Sequence, residues 1–189
     1  MDEVDRKIIE QLQLDGRKTL EELSKTVGFT SMGIRKRLRK LLEQDAIKVS
    51  ALLNPFFFNL SPAIMLLEME SAEAMQNLLN RFKDCPRVIN IFKTMGGFNL
   101  IALVVAEDRD TLESISVEKC SLRSGEGIRR SEFYSIGDVY FSHFLPVREY
   151  LTHKDRTLTP CNIDCRPCPR YQNKKCVGCP STNYYRGTL

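Results

Sequence analysis

The apolar residues of this chain change their spacing at Asn54-Pro55, and no other feature restricts the fold as much. Before that point apolar side chains recur at helical intervals. After it, short apolar runs alternate with amphipathic stretches. A lone helical bundle and a lone sheet sandwich are both excluded by the switch. The chain has 189 residues, too many for one minimal core. It reads as three segments, residues 1–54, 55–151 and 152–189.

In the first segment Val4, Ile8, Ile9 and Leu12 share one helical face. Asp2 and Asp5 sit at its start, where the helix dipole favours acids. Thr19-Leu-Glu-Glu22 matches a capping box and opens a short helix with Leu20, Leu23 and Val27 inward. Gly28 supplies a tight turn. Thr30 or Ser31 then caps a third helix with Ile34, Leu38, Leu41 and Leu42 inward. Arg35, Lys36, Arg37, Arg39 and Lys40 face outward, with no acid among them. Ile47 to Leu53 suits a strand or short wing, and Asn54-Pro55 ends the unit. The pattern predicts a winged helix-turn-helix that contacts double-stranded DNA. Thr30, Ser31, Met32 and Gly33 would lie nearest the groove, and the five cations along it. A three-helix bundle with a solvated basic face is the plainer reading.

The second segment predicts strands at Ala63–Leu67, Val88–Phe92, Leu100–Val105 and Ile128–Tyr134, the last continuing through Val139–Phe141. Helices are expected over Ala74–Phe82 and from Asp108 to about Ser121. The order β-α-β-β-α-β is that of a ferredoxin-like sandwich, so the fold class is α+β. Two helices cover one face of such a sheet. The other face would stay bare in a monomer and calls for a partner subunit.

With these residues in hand, the chain resembles the leucine-responsive regulatory protein/AsnC (Lrp/AsnC) family of transcription regulators. The resemblance rests on Asp2-x-x-Asp5-Arg-Lys-Ile-Ile, on Leu23-Ser-Lys-Thr-Val-Gly28 and on Ile34-Arg-Lys-Arg-Leu-Arg-Lys-Leu-Leu42. Residues 62–135 resemble the family's effector-binding domain. The resemblance implies homodimers built through the sheets, often assembled further, and a small-molecule effector held where dimers meet. The loop that carries this site in relatives corresponds here to Gly96, Gly97, Phe98 and Asn99. Two acidic positions of that loop are neutral in this chain, so the ammonium group of an amino acid loses its expected partners. A plain β-turn also accounts for Gly-Gly.

The last segment departs from that family. Five of the seven cysteines fall within 19 residues, as Cys161-x3-Cys165-x2-Cys168-x7-Cys176-x2-Cys179. In a reducing compartment such clustering points to metal, not disulfides. Two Cys-x-x-Cys knuckles joined by seven residues let Cys165, Cys168, Cys176 and Cys179 meet around one zinc ion, leaving Cys161 spare. An iron–sulfur cluster is the alternative, because the three-cysteine run Cys161-x3-Cys165-x2-Cys168 with a remote fourth ligand suits it. Large apolar side chains are few in this tail, so metal is expected to order it. Cys85 and Cys120 stand alone and read as small apolar groups. His143 and His153 read as solvated linker residues.

Charge follows the same division. The ends are basic, with the tail carrying seven Lys+Arg against two Asp+Glu, and the middle is acidic. No run approaches the ~20 apolar residues of a membrane span. The acidic opening Met-Asp-Glu-Val-Asp-Arg is unlike a signal peptide, and a cytoplasmic location is expected. No phosphate loop or nucleophile motif is present, so no enzyme activity is expected. The sequence thus predicts a DNA-binding transcription regulator, dimeric or higher. The alternative is an interaction module whose metal knuckle docks a protein of the transcription machinery. A third reading makes the cysteine cluster itself the sensor.

Overall fold

The computed structural model describes residues 1–189, which form two compact units, Met1–Ala51 and Leu52–Leu189. The first contains α1 (Glu3–Leu14), α2 (Leu20–Val27) and α3 (Ser31–Glu43). Each begins on a capping residue. The Asp2 carboxylate accepts from the Asp5 amide and the Thr19 hydroxyl from the Glu22 amide, and both caps are completed as boxes. The Thr30 hydroxyl accepts from the Gly33 amide at 3.2 Å. Such a cap stabilises a helix by about 1 kcal/mol. Gly28 ends α2 at φ 77°, where a Cβ would be strained. The α2–α3 corner is therefore set by local chemistry before any packing forms.

Ile8, Leu23, Val27 and Ile34 make the core of this unit, extended by Val4, Leu12, Leu20 and Leu38. So few side chains leave little margin, and an ion-pair clamp supplements them. Arg37 Nη1 donates to Asp2 at 2.5 Å and to Asp5 at 2.9 Å, tying α3 to the start of α1. The expected wing does not form. Residues 47–52 have no ladder partner, and Leu53 makes one isolated antiparallel bridge to Leu145. A strand needs a neighbour for its backbone groups, and this unit offers none.

The second unit contains β1 (Ser61–Met69), α4 (Ala72–Phe82), β2 (Val88–Lys93), β3 (Leu100–Ala106), α5 (Arg109–Val117), β4 (Ile128–Ser135) and α6 (Pro169–Gln172). The sheet order is β2-β3-β1-β4 and every pair is antiparallel. This is the ferredoxin-like arrangement. Strand alternation sends Ala63, Met65, Leu67 and Met69 of β1 and Leu100, Ala102, Val104 and Ala106 of β3 to the helix-covered face. There they meet Met75, Leu78 and Phe82 of α4 and Leu112 and Ile115 of α5. Ser71 and Asp108 cap the two helices.

Two expected elements are shorter than the periodicity suggests. Helix α5 ends at Val117 because Glu118 turns to extended backbone. A 3-10 turn, Leu122–Ser124, follows. Strand β4 does not run on to Phe141. The Ile136 amide still bonds Pro62, but β1 begins at Ser61 and offers nothing beyond it. Tyr140 and Phe141 are left exposed.

The opposite sheet face is only partly bare. Leu60, Ile89, Val105, Val147 and Leu189 form a second buried layer with Leu53, Leu103, Leu145 and Tyr185. The tail also joins the main core, since Cys161 is buried within it. The segment therefore packs on the sheet domain, although its own large apolar residues are few.

The Asp2–Arg37 clamp has a pH signature. The Asp5 amide, and then Arg37, hold the Asp2 carboxyl below the usual carboxylate range. A carboxyl depressed in the folded state contributes stability above its unfolded pKa and loses it as pH falls through the folded value. Protection of α1 amides from hydrogen exchange should therefore weaken as pH drops below about 4. Asp2→Asn should weaken α1 at neutral pH and flatten that acid response. An unchanged profile in the variant would contradict the clamp.

Candidate functional site

Three places merit attention: the outer face of α3, the loop between β2 and β3, and a cavity beneath the tail. On α3, Arg35, Lys36, Arg39 and Lys40 are exposed, and so are Thr30 and Met32. Arg35, Lys36 and Lys40 enter no ion pair. Arg39 reaches Glu43 only at 4.0 Å, both side chains being 68% exposed. A surface pair of that kind contributes little and leaves Arg39 available. Ser31 and Gly33 are half-buried in the first turn. Arg37 is different: its charge is committed to Asp2 and Asp5, and its guanidinium lies 5.5 Å from the Phe29 ring centroid. Four cations, not five, are presented to solvent.

In the β2–β3 loop Gly96 and Gly97 are exposed and Phe98 and Asn99 half-buried. Asn99 is a structural residue. Its amide oxygen accepts from the Met69 N–H at 2.8 Å, and its amide nitrogen donates to the Met69 carbonyl at 2.9 Å. Both halves of the side chain are thus used on the end of β1. Arg130 lies 4.2 Å from the Phe98 ring centroid and 3.7 Å from Glu68. The arginine, absent from the sequence reading, is the charged group beside this loop.

The cavity measures about 40 Å³. Met65, Val88, Val104, Phe82 and Ile115 form its apolar wall. Cys161, Cys165, Cys176 and Cys179 line it from the tail, and Cys85 and Cys120 from the sheet domain. The four tail thiols are each at most 8% exposed. Cys168 is not part of this lining; it packs against Cys165 and Cys179 and lines a neighbouring groove with Pro167 and Pro169, which Cys165, Cys176 and Cys120 also border. All seven cysteines are free thiols. No set of three or more His, Cys, Asp or Glu side chains stands in an arrangement that holds a metal ion. Burial pushes the Cys165 thiol up to about 12, with Cys179 and Cys176 adding to the rise. Burial likewise pushes Cys85 up to about 12.

A buried ion pair anchors the tail beside this cavity. Arg87, just before β2, meets Glu107, just after β3, through bonds of 2.7 to 3.0 Å. Arg87 also donates to the Gly178 carbonyl at 2.5 Å, and the Tyr185 hydroxyl donates to Glu107 at 2.5 Å. Gly178 has φ 88°, and a Cβ there would sit 3.1 Å from the Tyr171 ring. Helix α5 adds further ties. Ser114 donates to the Lys175 carbonyl at 3.0 Å, and Arg170 reaches Ser114, the Asp110 carbonyl and Glu113. Arg87 and Glu107 carry no local sequence signal, because their partners are far along the chain.

Comparison with known proteins identifies the two units. Residues 1–42 match the AsnC-type helix-turn-helix domain, and residues 62–136 match the Lrp/AsnC ligand binding domain. An uncharacterized HTH-type transcriptional regulator of Pyrococcus abyssi is 31% identical over 118 residues, covering 60% of this chain and 76% of that protein. The HTH-type transcriptional regulator FL11 of Pyrococcus horikoshii is 28% identical over 115 residues, covering 60% and 76%. The fold is shared with AsnC of E. coli, at TM-score 0.64 and 19% identity over 75% of this chain and 95% of that one. It is shared as well with a Neisseria meningitidis regulator solved as its L-Met complex, at TM-score 0.67 and 22% identity over 76% and 94%. The chain belongs to the Lrp/AsnC family and is a DNA-binding transcription regulator. Its named relatives are regulators, not enzymes. Residues 137–189 lie outside both family models. No helix is long and apolar enough to cross a membrane.

The Arg87–Glu107 pair makes a quantitative prediction. Glu107→Gln leaves a buried guanidinium without its counter-ion and should cost about 3–5 kcal/mol. Glu113→Gln, at the exposed pair with Arg170, should cost under about 1 kcal/mol. Urea unfolding followed by tyrosine fluorescence measures both. Equal shifts would contradict the anchoring role.

Proposed function

We propose that α3 enters the major groove of the operator with Arg35, Lys36, Arg39 and Lys40, and that a second copy of the chain covers the bare part of the sheet. Thr30 to Gly33 start α3 and lie nearest the groove floor or a phosphate. One observation carries the DNA reading: four solvent-facing cations on the helix that follows the Gly28 corner, with Arg37 turned away. Arg37 holds α3 in place and makes no DNA contact. For the oligomer, the support is an apolar strip in which Leu66 of β1 pairs with Ile101 of β3, both half-buried on the face away from α4 and α5. Phe92 and Tyr134 extend that strip and are 49% and 53% exposed.

The input to the regulator is a small molecule held by the sheet domain near Gly96 to Phe98. Asn99 is already spent on Met69, and its role is to hold the loop's base. The tail then adds a second input to the same domain.

Two measurements test this. Double substitution Arg35→Ala with Arg39→Ala should weaken operator binding and reduce the slope of log affinity against log salt by about one unit per cation. Arg37→Ala should lower the thermal stability of the first unit and leave that slope nearly unchanged. Unaltered binding by the double variant would remove α3 from the interface. Leu66→Glu with Ile101→Glu should turn a sedimenting dimer, or larger species, into a monomer. A wild-type monomer at micromolar concentration would contradict the oligomer.

A further inference from the structure

We propose that the cavity beneath the tail is a binding site for an iron–sulfur cluster, held by Cys161, Cys165, Cys176 and Cys179. This set differs from the knuckle quartet that spacing alone suggests, because it takes Cys161 and omits Cys168.

Three observations carry it. First, four thiols of one short segment, all at most 8% exposed, line a single cavity. Cys168, in the same segment, lies outside that lining, in an adjoining groove that Cys165 and Cys176 also border. Spacing favours Cys168 over Cys161, and the cavity lining reverses that order. Second, the space is too large for one ion. A tetrahedral zinc site brings four sulfurs to about 2.3 Å from one point, which leaves no room inside. Here the cavity is about 40 Å³, and no three ligating side chains are arranged to hold a single ion. One water needs only about 10–15 Å³. A cluster with several iron corners takes one thiolate at each corner and fills the middle with its own iron and sulfide.

Third, the surroundings offer a hydrogen bond to sulfur and an apolar wall. Arg87 also lines the cavity, its charge paired with Glu107. The Thr159 hydroxyl lies 3.1 Å from the Cys161 sulfur. Hydrogen bonds to ligating sulfur and an apolar wall are the usual means by which a protein sets a cluster's stability and potential. Gly178, between Cys176 and Cys179, brings backbone close to the site, and the Arg87 bond to its carbonyl fixes that knuckle.

Assembly balances simply. Four S–H bonds are exchanged for four S–Fe bonds, the four thiol protons pass to solvent, and ferrous and ferric iron in equal amounts come from solution with sulfide, so that no electron is gained or lost. Since the cavity wall belongs to β1, β2, β3, α4 and α5, loading should stabilise the whole second unit and not the tail alone. The inference rests on the tail being an input to the sheet domain. It does not depend on how α3 meets DNA.

The test uses the full chain, reconstituted anaerobically with equal amounts of ferrous and ferric iron and with sulfide, and in a parallel arm with zinc alone. The expected result is a brown protein with broad visible absorption and matching iron and acid-labile sulfide. Cys161→Ser, Cys165→Ser, Cys176→Ser and Cys179→Ser should each lose the chromophore. Cys168→Ser, Cys85→Ser and Cys120→Ser should each keep it. Circular dichroism of each apo variant against apo wild type separates ligand loss from misfolding. A variant that misfolds is replaced by the corresponding Cys→Ala substitution. A colourless protein that takes up one zinc per chain would overturn the proposal. So would a chromophore that survives Cys161→Ser or needs Cys168. Operator binding is measured on the same samples. Normal binding without a cluster sinks this inference alone, and cluster assembly without operator binding sinks the α3 reading alone.

Discussion

The buried Arg87–Glu107 pair is the interaction on which the second unit depends. Removing two charges from water is costly, and their attraction offsets that cost only if geometry and additional bonds are good. Here they are. Glu107 accepts from Arg87 and from the Tyr185 hydroxyl, while Arg87 also donates to the Gly178 carbonyl. No buried side-chain polar atom is left without a partner. Two of these four groups come from strand ends and two from the tail. The pair therefore fixes the tail to the sheet at one position, since any slip would strand a buried charge. Apolar packing tolerates small shifts, whereas a buried ion pair does not.

This arrangement explains how a polar, cysteine-rich segment is ordered. It has few large apolar side chains, but it does not need a core of its own. Cys161 enters the main core, and Leu189 fills the layer on the other sheet face. Tyr171 packs against Cys165 and Cys179, and its hydroxyl donates to the Tyr184 carbonyl. The segment thus reaches both faces of the sheet from a few anchor points.

Much of this was legible in the sequence, and the reason is local. The Thr19–Glu22 box, the Gly28 corner and the Thr30 cap are set by neighbours within four residues, so spacing reveals them. The βαββαβ order follows from period changes that each strand and helix carries within itself. What spacing could not reveal depends on distant partners. Arg37 reads as one more outward cation, because its acids lie 32 and 35 residues away. The wing reads as a strand, because strand propensity says nothing about whether a partner exists. Asn99 reads as a ligand residue, although Met69 uses both ends of its amide. Among the cysteines, spacing favours the two symmetrical pairs. Which thiols face the cavity is settled by Arg87, Glu107 and α5, none of which the tail's own sequence contains.

The same alternation that builds the sheet relates its two faces. Met65 and Val104 line the cavity, while their chain neighbours Leu66 and Val105 face the other way. A strand is one residue thick, so a side chain displaced on one face moves the backbone that carries the next one. An occupant of the cavity and a partner on the opposite face would therefore press on alternate residues of β1 and β3. Any interaction that favours one spacing of those strands is felt on both faces. Coupling between two such sites is reciprocal by thermodynamic necessity. Where a partner and a cavity occupant favour the same strand spacing, each would strengthen the other's hold by the same factor; where they favour different spacings, each would weaken it.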